Sequence, residues 1–309
     1  MTMARDSKRP RLGIDLGGTK IAGIVLDGRG ATLAEQRIAS PQGDYGATIA
    51  AVAGLVADLE TRAGVPAQAS SIGIGMPGSV SPSTGLVQNA NSTWLNGKPF
   101  DRDLAARLGR SVICANDANC FALSEATDGA AAGESSVFGV ILGTGCGGGV
   151  VFDGHLIDGP RGIGGEWGHN PLPWPGTDEL PGPRCWCGRS GCIETWVSGP
   201  ALSADHLRTT GQTLTAAEIA AAADRGEAVA SQTLERHAAR LARGLACIVN
   251  IVDPDVIVLG GGLSNLGHLY RRLPELMRPH IFADDGRVDI RPPKWGDASG
   301  VRGAAWLWT

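Results

Sequence analysis

The chain has 309 residues, 43% of them hydrophobic and 19% charged, with a formal net charge of −4 at pH 7. That length exceeds what one hydrophobic core usually supports, so two domains are expected. The mild acidity gives no reason to expect nucleic acid or an anionic membrane as a partner, and no apolar run reaches membrane-spanning length.

Residues 1–10 are polar and basic with no apolar stretch, unlike a secretory signal. They read as a disordered tail on a cytoplasmic protein. The first ordered segment begins at Arg11. Apolar residues run up to Asp15, a Gly17-Gly18 turn follows, and a second apolar run ends at an Asp27-Gly28 hairpin turn into a third strand over 31–38. A helix is expected over 48–62, short strands over 71–76 and 111–115, and a helix over 118–127. The opening pattern then recurs over 138–154. A shift of 126 positions puts Gly13, Leu16, Gly17, Gly23, Val25, Asp27 and Gly28 on identical residues without a gap. This predicts two related lobes, each beginning with a β-hairpin. A helix follows over 233–252, with Leu234, Leu241, Leu245 and Ile248 on one face. A buried-type strand over 256–259 is entered through Asp253-Pro254-Asp255. Residues 263–277 read as mixed loop and helix, and 301–308 as a short helix packing back on the body.

Glycine-rich turns bind phosphate because bare backbone N–H groups can converge on anionic oxygens. One Gly-Gly turn says little. Here Gly17-Gly18 has Asp15 before it and Thr19 and Lys20 after it. A second turn, Gly143-Thr144-Gly145, stands in the equivalent place, and Gly260-Gly261-Gly262 follows the later strand. No Gly-x-x-x-x-Gly-Lys-Ser/Thr stretch exists, which excludes a P-loop. The chain continues as a strand after Gly18, against a Rossmann site. Asp15 has Ile141 as its counterpart in the second copy. A carboxylate beside phosphate needs a cation between them, so Asp15 is expected to hold Mg²⁺, through water.

Three of the seven cysteines lie within eight residues: Cys185, Cys187 and Cys192. With His169 they form a Cys₃His set, spaced His-x15-Cys-x-Cys-x4-Cys, which points to structural Zn²⁺ rather than disulfides. Cys114, Cys120, Cys146 and Cys247 read as packing residues, Cys146 at the edge of the second turn. His155, His206, His237, His268 and His280 read as surface or core residues. Asn116-Asp117 sits where a strand runs into a helix. By residue type alone, the pair would be a helix cap.

On these residues the chain resembles the ROK family (repressors, open reading frames and kinases) of the actin/hexokinase/Hsp70-type ATPase superfamily, from Leu12 to Trp308. The resemblance implies an α/β, two-lobed actin/hexokinase/Hsp70-like (ribonuclease H-like) ATPase fold with an internal duplication. Its lobes would be 11–118, joined by a C-terminal helix at about 296–309, and 119–295, carrying a zinc knuckle at 169–192. ATP is implied in the cleft between lobes, with phosphates at Gly17, Gly18, Thr19, Lys20, Thr144 and Gly145 and adenosine at Gly261 and Gly262. Asp117 matches the general base, which accepts the proton of the attacking sugar hydroxyl. Asn116 and Asp117 match sugar-binding positions, as do Glu166, His169 and Glu194, and more loosely Gly78 and Asn91. His169 would serve both zinc and sugar. Lobe closure and a homodimer are implied as well.

Within the family, segments 89–97, 116–120, 168–174 and 300–308 are similar to bacterial fructokinases. The expected product is D-fructose 6-phosphate. Glucose, mannose and N-acetylhexosamine kinases share the catalytic set and are the alternatives. A sugar-responsive ROK repressor is disfavoured, because only about ten residues precede the first strand, too few for a helix-turn-helix.

Overall fold

The structure, a computed structural model, describes residues 9–308. The expected tail lies outside the described residues except for Arg9 and Pro10, and the Pro10 carbonyl accepts a hydrogen bond from Ser71 N–H. The elements in chain order are β1 (Arg11–Leu16), β2 (Lys20–Leu26), β3 (Thr32–Ala39), α1 (Tyr45–Arg62), β4 (Ser71–Met76), β5 (Ser79–Val80), β6 (Val87–Gln88), α2 (Phe100–Leu108), β7 (Ile113–Asn116) and α3 (Asp117–Thr127). Then come β8 (Ser136–Leu142), β9 (Cys146–Phe152), β10 (His155–Leu156), α4 (Glu194–Val197), α5 (Gly199–Thr210), α6 (Ala216–Asp224), α7 (Ala228–Val252), β11 (Val256–Gly260), α8 (Gly267–Met277), β12 (Ile290–Arg291) and α9 (Ser299–Trp306). Among the described residues no helix is long and apolar enough to cross a membrane.

The chain forms two compact units. The first comprises the chain through Gly133, Gly149–Gly164 and the segment from Asp297. Its sheet has the order β3-β2-β1-β4-β7. β1 pairs antiparallel with β2 and parallel with β4, placing Asp15 opposite Ala22 on one side and Gly75 on the other. Helix α1 is capped by Asp44, whose side chain accepts from Ala47 N–H at 2.9 Å. It buries Ile49, Val52, Leu55, Val56 and Leu59, the three-to-four spacing of one helical face. That face joins Leu12, Ile14, Ile72 and Ile74 of the central strands in one core.

The unit runs to Gly133, past the expected boundary at residue 118, because α3 packs on the C-terminal helix. A Cβ on Gly303 of α9 would lie 1.6 Å from the Cys120 carbonyl oxygen of α3, so only glycine permits this approach. The buried Glu125 of α3 accepts from Ser299 Oγ at 2.7 Å. Arg302 pairs with Asp128 and donates to Gly30 O at 2.8 Å.

The second unit comprises Glu134–Gly148 and Gly165–Gly296. The second sheet, order β10-β9-β8-β11-β12, repeats the plan of the first. β9, beside β8, pairs antiparallel with β10, and on the far side of β8 come the parallel neighbours β11 and β12. The duplication is visible in element ends: Leu16, Lys20 and Leu26 plus 126 give Leu142, Cys146 and Phe152, the ends of β8 and β9. Helix α7 buries Leu234, Leu241 and Leu245 and stops at Asp253, which is left-handed at φ 47° and precedes Pro254. Four helices were not anticipated from sequence, α2, α4, α5 and α6. Each presents four or fewer buried side chains, too few for a conspicuous stripe.

Candidate active site

In the first unit the turn joining β1 to β2 is closed by Gly17 N–H on Lys20 O at 3.0 Å. Thr19 and Lys20 are exposed. The N–H groups of Gly18 and Thr19 make no hydrogen bond to protein among the described residues, so they are available to an anion. Gln42 Nε2 donates to Gly18 O at 3.0 Å, and Gly18 lies against Ser92, next to Asn91.

Asp15, one strand residue before this turn, is half-buried. Its carboxyl is pushed up to about 6, first by burial and then by the charge of Asp117, while the guanidinium of Arg37 pulls it down. Asp117 is the first residue of α3. Its side chain is open to solvent, yet protein surrounds it closely enough that desolvation raises its carboxyl above 3.8, against the pull of Ala118 N–H and Asn116. An accessible carboxylate keeps part of its hydration, so this rise is smaller than full burial would produce. Both carboxylates also act on the buried thiol of Cys120, which burial lifts well above its ordinary range. Asp15 and Asp117 therefore share one neighbourhood.

The cap at this junction is Asn116. Its Oδ1 accepts from Ala118 N–H at 2.8 Å and Asn119 N–H at 3.4 Å, and its Nδ2 donates to Gly78 O at 3.4 Å. Asp117 Oδ1 also accepts from Ala118 N–H at 2.8 Å. Gly78 has φ 70°, and a Cβ there would lie 2.3 Å from Gln88 O and 2.6 Å from Ala90 N. Asn96 clamps Ala90 with two bonds of 2.9 Å, one from its N–H and one to its carbonyl. Asn91, the next residue, is exposed. The structure thus brings Gly17, Gly18, Gly78 and Asn91, on touching loops, into one unit with Asn116 and Asp117 at the β7–α3 junction. Asn96 was missed from sequence; its role rests on the loop it clamps rather than on a motif.

In the second unit the turn joining β8 to β9 repeats the closure, with Gly143 N–H on Gly145 O at 3.0 Å. Thr144 is exposed, and neither its N–H nor that of Gly145 bonds to protein among the described residues. Gly261, at the end of β11, has φ 76° and abuts the Leu142 carbonyl. Gly262 has neither a left-handed φ nor any neighbour within 4 Å of a would-be Cβ, and the same holds for Gly143. Nothing within the unit requires glycine at these two positions, which fits space kept for a ligand.

Glu194, the first residue of α4, is held at both oxygens. Oε2 accepts from Cys146 N–H at 2.9 Å and Oε1 from the indole N–H of Trp186 at 2.8 Å. Gly145 admits the carboxylate, since a Cβ there would stand 2.8 Å from Oε2. Burial raises the Cys146 thiol well above its usual range, and the charges of Glu194 and Glu166 add to that. Both carboxylates therefore lie around the second turn. Gly168 packs on the Cys146 carbonyl, which brings His169 to the same place.

His169, Cys185, Cys187 and Cys192 offer ligand atoms all within 4.8 Å of one another. Cys185 Sγ to His169 Nδ1 and Cys187 Sγ to Cys192 Sγ are both 3.6 Å. Metal–sulfur bonds of about 2.3 Å and metal–nitrogen bonds of about 2.0 Å at tetrahedral angles place ligand atoms about 3.5–3.8 Å apart, the separation seen here. The 3.6 Å sulfur pair is far beyond the roughly 2.05 Å of a disulfide. The turn carrying the cysteines is closed by Cys185 N–H on Arg189 O at 2.8 Å and Gly188 N–H on Cys185 O at 3.0 Å. Trp186, within that turn, is 69% exposed and meets the His169 ring edge-on, 4.9 Å between centroids. Sequence reasoning missed it.

Of the other histidines, His206 and His237 are buried; His237 bonds Val197 O through Nε2 at 2.9 Å, and burial lowers its pKa to about 4. Two surface cavities of about 400 and 450 Å³, the first lined by residues including Ala53 and Arg107 and the second by residues including Gly23 and Arg37, contain none of the predicted site residues.

Two five-stranded sheets of one plan, each opening with a hairpin whose turn exposes unpaired backbone donors, define an α/β chain of the actin/hexokinase type. Known proteins narrow this. N-acetyl-D-glucosamine kinase of Salmonella paratyphi A is 42% identical over 299 residues, spanning 96% of this chain and 98% of that protein. The crystal structure of a ROK hexokinase from Thermus thermophilus is 34% identical with a TM-score of 0.84, covering 96% of this chain and 97% of that one. A ROK family glucokinase from Streptomyces griseus, solved in complex with glucose and AMPPNP, is 28% identical with a TM-score of 0.76, covering 96% and 98%. Residues 11–309 match the model of the ROK family, and the chain belongs to it.

Proposed function

We propose that this ROK-family sugar kinase transfers the γ-phosphoryl group of ATP to a hydroxyl of N-acetyl-D-glucosamine, with Asp117 as the general base. The observation that carries the reading is the state of Asp117. It is a solvent-accessible carboxylate fixed at one oxygen by Ala118 N–H, and Asn116 already serves as the helix cap. A side chain not needed for the cap, accessible to solvent, and shifted upward by desolvation suits a base that takes a hydroxyl proton.

The acceptor follows the 42% identical relative, whose name is that of an N-acetyl-D-glucosamine kinase. That match covers 96% of the chain. It outweighs the short segments on which fructose was expected, so fructose is replaced as the first choice. Glu166, His169 and Glu194 are the proposed hydroxyl ligands of the second unit, and Asn116, Asn91 and Gly78 those of the first. Gly17, Gly18, Thr19, Lys20, Thr144, Gly145, Gly261 and Gly262 are assigned to ATP, and Asp15 to Mg²⁺. The Cys₃His set fits zinc in donor type and spacing. Zinc there would hold the His169 ring in one orientation and tautomer.

The test is a competition. Equal concentrations of N-acetyl-D-glucosamine, fructose, glucose and mannose are incubated with ATP and Mg²⁺, and the products are separated by chromatography. N-acetyl-D-glucosamine phosphate should predominate. A predominance of fructose phosphate would restore the first expectation, and no sugar phosphate at all would sink the kinase reading.

A further inference from the structure

We propose that Trp186 is a positioning residue for acceptor binding, acting by holding the Glu194 carboxylate in place; the proposal rests on the reading of Glu194 as a sugar-hydroxyl ligand. Trp186 occupies the single position between two cysteines of the Cys₃His cluster. Its indole nitrogen has one proton and no acceptor capacity, so it can do only one polar thing, which is donate. It donates to Glu194 Oε1 at 2.8 Å. The opposite oxygen, Oε2, takes Cys146 N–H at 2.9 Å. One donor at each oxygen fixes both the rotation and the tilt of the carboxylate. Each carboxylate oxygen can accept a second bond, so both remain able to receive a sugar hydroxyl.

Three features show that this contact is built rather than incidental. The turn bearing Trp186 is closed by two backbone hydrogen bonds and by the convergence of four ligand atoms within 4.8 Å. The indole therefore has little freedom to leave Glu194. The same ring meets the edge of His169 at 4.9 Å and 88°. One side chain thus touches two of the three residues assigned to the acceptor in this unit. Finally, Trp186 is 69% exposed, so burial of its apolar area does not explain a tryptophan there. The hydrogen bond to Glu194 and the ring contact with His169 do.

The consequence is a route from the metal cluster to the acceptor site. The cluster sets the turn, the turn sets Trp186, and Trp186 sets Glu194. Removing the indole N–H frees one carboxylate oxygen to rotate, and a sugar hydroxyl must then pay for ordering it. A hydrogen bond from a neutral donor to a charged group is stronger than one between neutral groups, and a site partly open to water moderates its loss.

The experiment is a double-mutant cycle between Trp186→Phe and Glu194→Gln, with zinc content measured for each protein. Phe keeps a ring beside His169 and removes only the donor. Trp186→Phe should raise the KM for the acceptor sugar about tenfold, with kcat and the KM for ATP within twofold of wild type and zinc retained. In the Glu194→Gln background the same substitution should add less than twofold, because residues acting through one another are not additive. An unchanged sugar KM, an equal penalty in the Glu194→Gln background, or loss of zinc from Trp186→Phe would overturn the proposal. If Glu194→Gln by itself leaves the sugar KM unchanged, the acceptor reading of Glu194 fails instead, and the proposal falls with it. Wild-type turnover with an unaffected Trp186→Phe would remove the proposal and leave the kinase reading standing.

Discussion

Replacing Asp117 with Asn separates a catalytic carboxylate from a helix cap, because the structure assigns those jobs to different residues. Asn116 accepts from Ala118 and Asn119 N–H, so the cap of α3 survives the substitution. The new amide oxygen can keep the 2.8 Å bond from Ala118 N–H. What is lost at the helix N-terminus is the charge, worth about 0.3–1 kcal/mol. That loss is offset by relief of the desolvation that raises the Asp117 carboxyl and of its repulsion with Asp15. The net stability change should stay within about 1 kcal/mol, a shift of at most about 4 °C in Tm. Loss of a general base should lower kcat about 10²- to 10⁴-fold. Coupled measurement of ADP release and a thermal melt on the same preparation read both numbers. A second signature is available: with Asp117 neutral, the Asp15 carboxyl should fall below the value of about 6 that it has beside the charged residue. An Asp117→Asn protein that folds, binds sugar and keeps kcat within threefold of wild type would refute the reasoning.

Asp15→Asn should stabilise the protein at neutral pH while abolishing Mg²⁺-dependent turnover. The native carboxyl sits at about 6 against an ordinary 3.8, so the folded state holds its proton longer than the unfolded chain. Ionising it costs stability as pH rises from about 4 to 6; partial exposure reduces the effect to about 1–3 kcal/mol at pH 8. Urea unfolding at pH 4, 6 and 8 should show the gain of Asp15→Asn growing with pH, and a pH-independent difference would contradict it. Cys187→Ser should lose one equivalent of zinc by elemental analysis and raise the KM for sugar; full retention of metal would dismiss the cluster as a zinc site. Arg240→Met should destabilise by about 3 kcal/mol in denaturant unfolding, because it strips a buried partner from both Glu179 and Asp205. Arg243 and Arg236 remain on those carboxylates and keep the loss at the lower end of the usual range. A change below about 1 kcal/mol would show that the network is dispensable.

The duplicated plan was legible because it is a matter of glycines and strand ends. The turn glycines and the hairpin spacing recur at one shift, and β9 begins and ends where β2 does after that shift. The Cys₃His set was legible for the same reason: ligand identity is written in residue type. The missed helices carry other signals. α6 has a reciprocal capping box between Thr215 and Glu218, yet buries only Ile219 and Ala222, so its stripe is faint. α2 hides behind Pro99 and buries only Phe100 and Leu104. The unit boundary was misplaced because the packing of α3 on α9 depends on a contact at Gly303, which has no periodic signature. Trp186 escaped for a similar reason. A lone tryptophan between two cysteines follows no pattern, and only the position of Glu194 gives it a task. Asn116 shows the converse, since its residue type announced a cap and the structure places it there. The preferred sugar was beyond reach because hydroxyl stereochemistry is read by side-chain placement around the acceptor, and short matching segments do not encode it.

The central claim is tested most directly by ADP formation at saturating ATP and Mg²⁺, measured with and without N-acetyl-D-glucosamine. The account predicts negligible release without sugar and, with it, one ADP for each molecule of N-acetyl-D-glucosamine phosphate formed. Release that proceeds equally in both conditions, or no release in either, would contradict it.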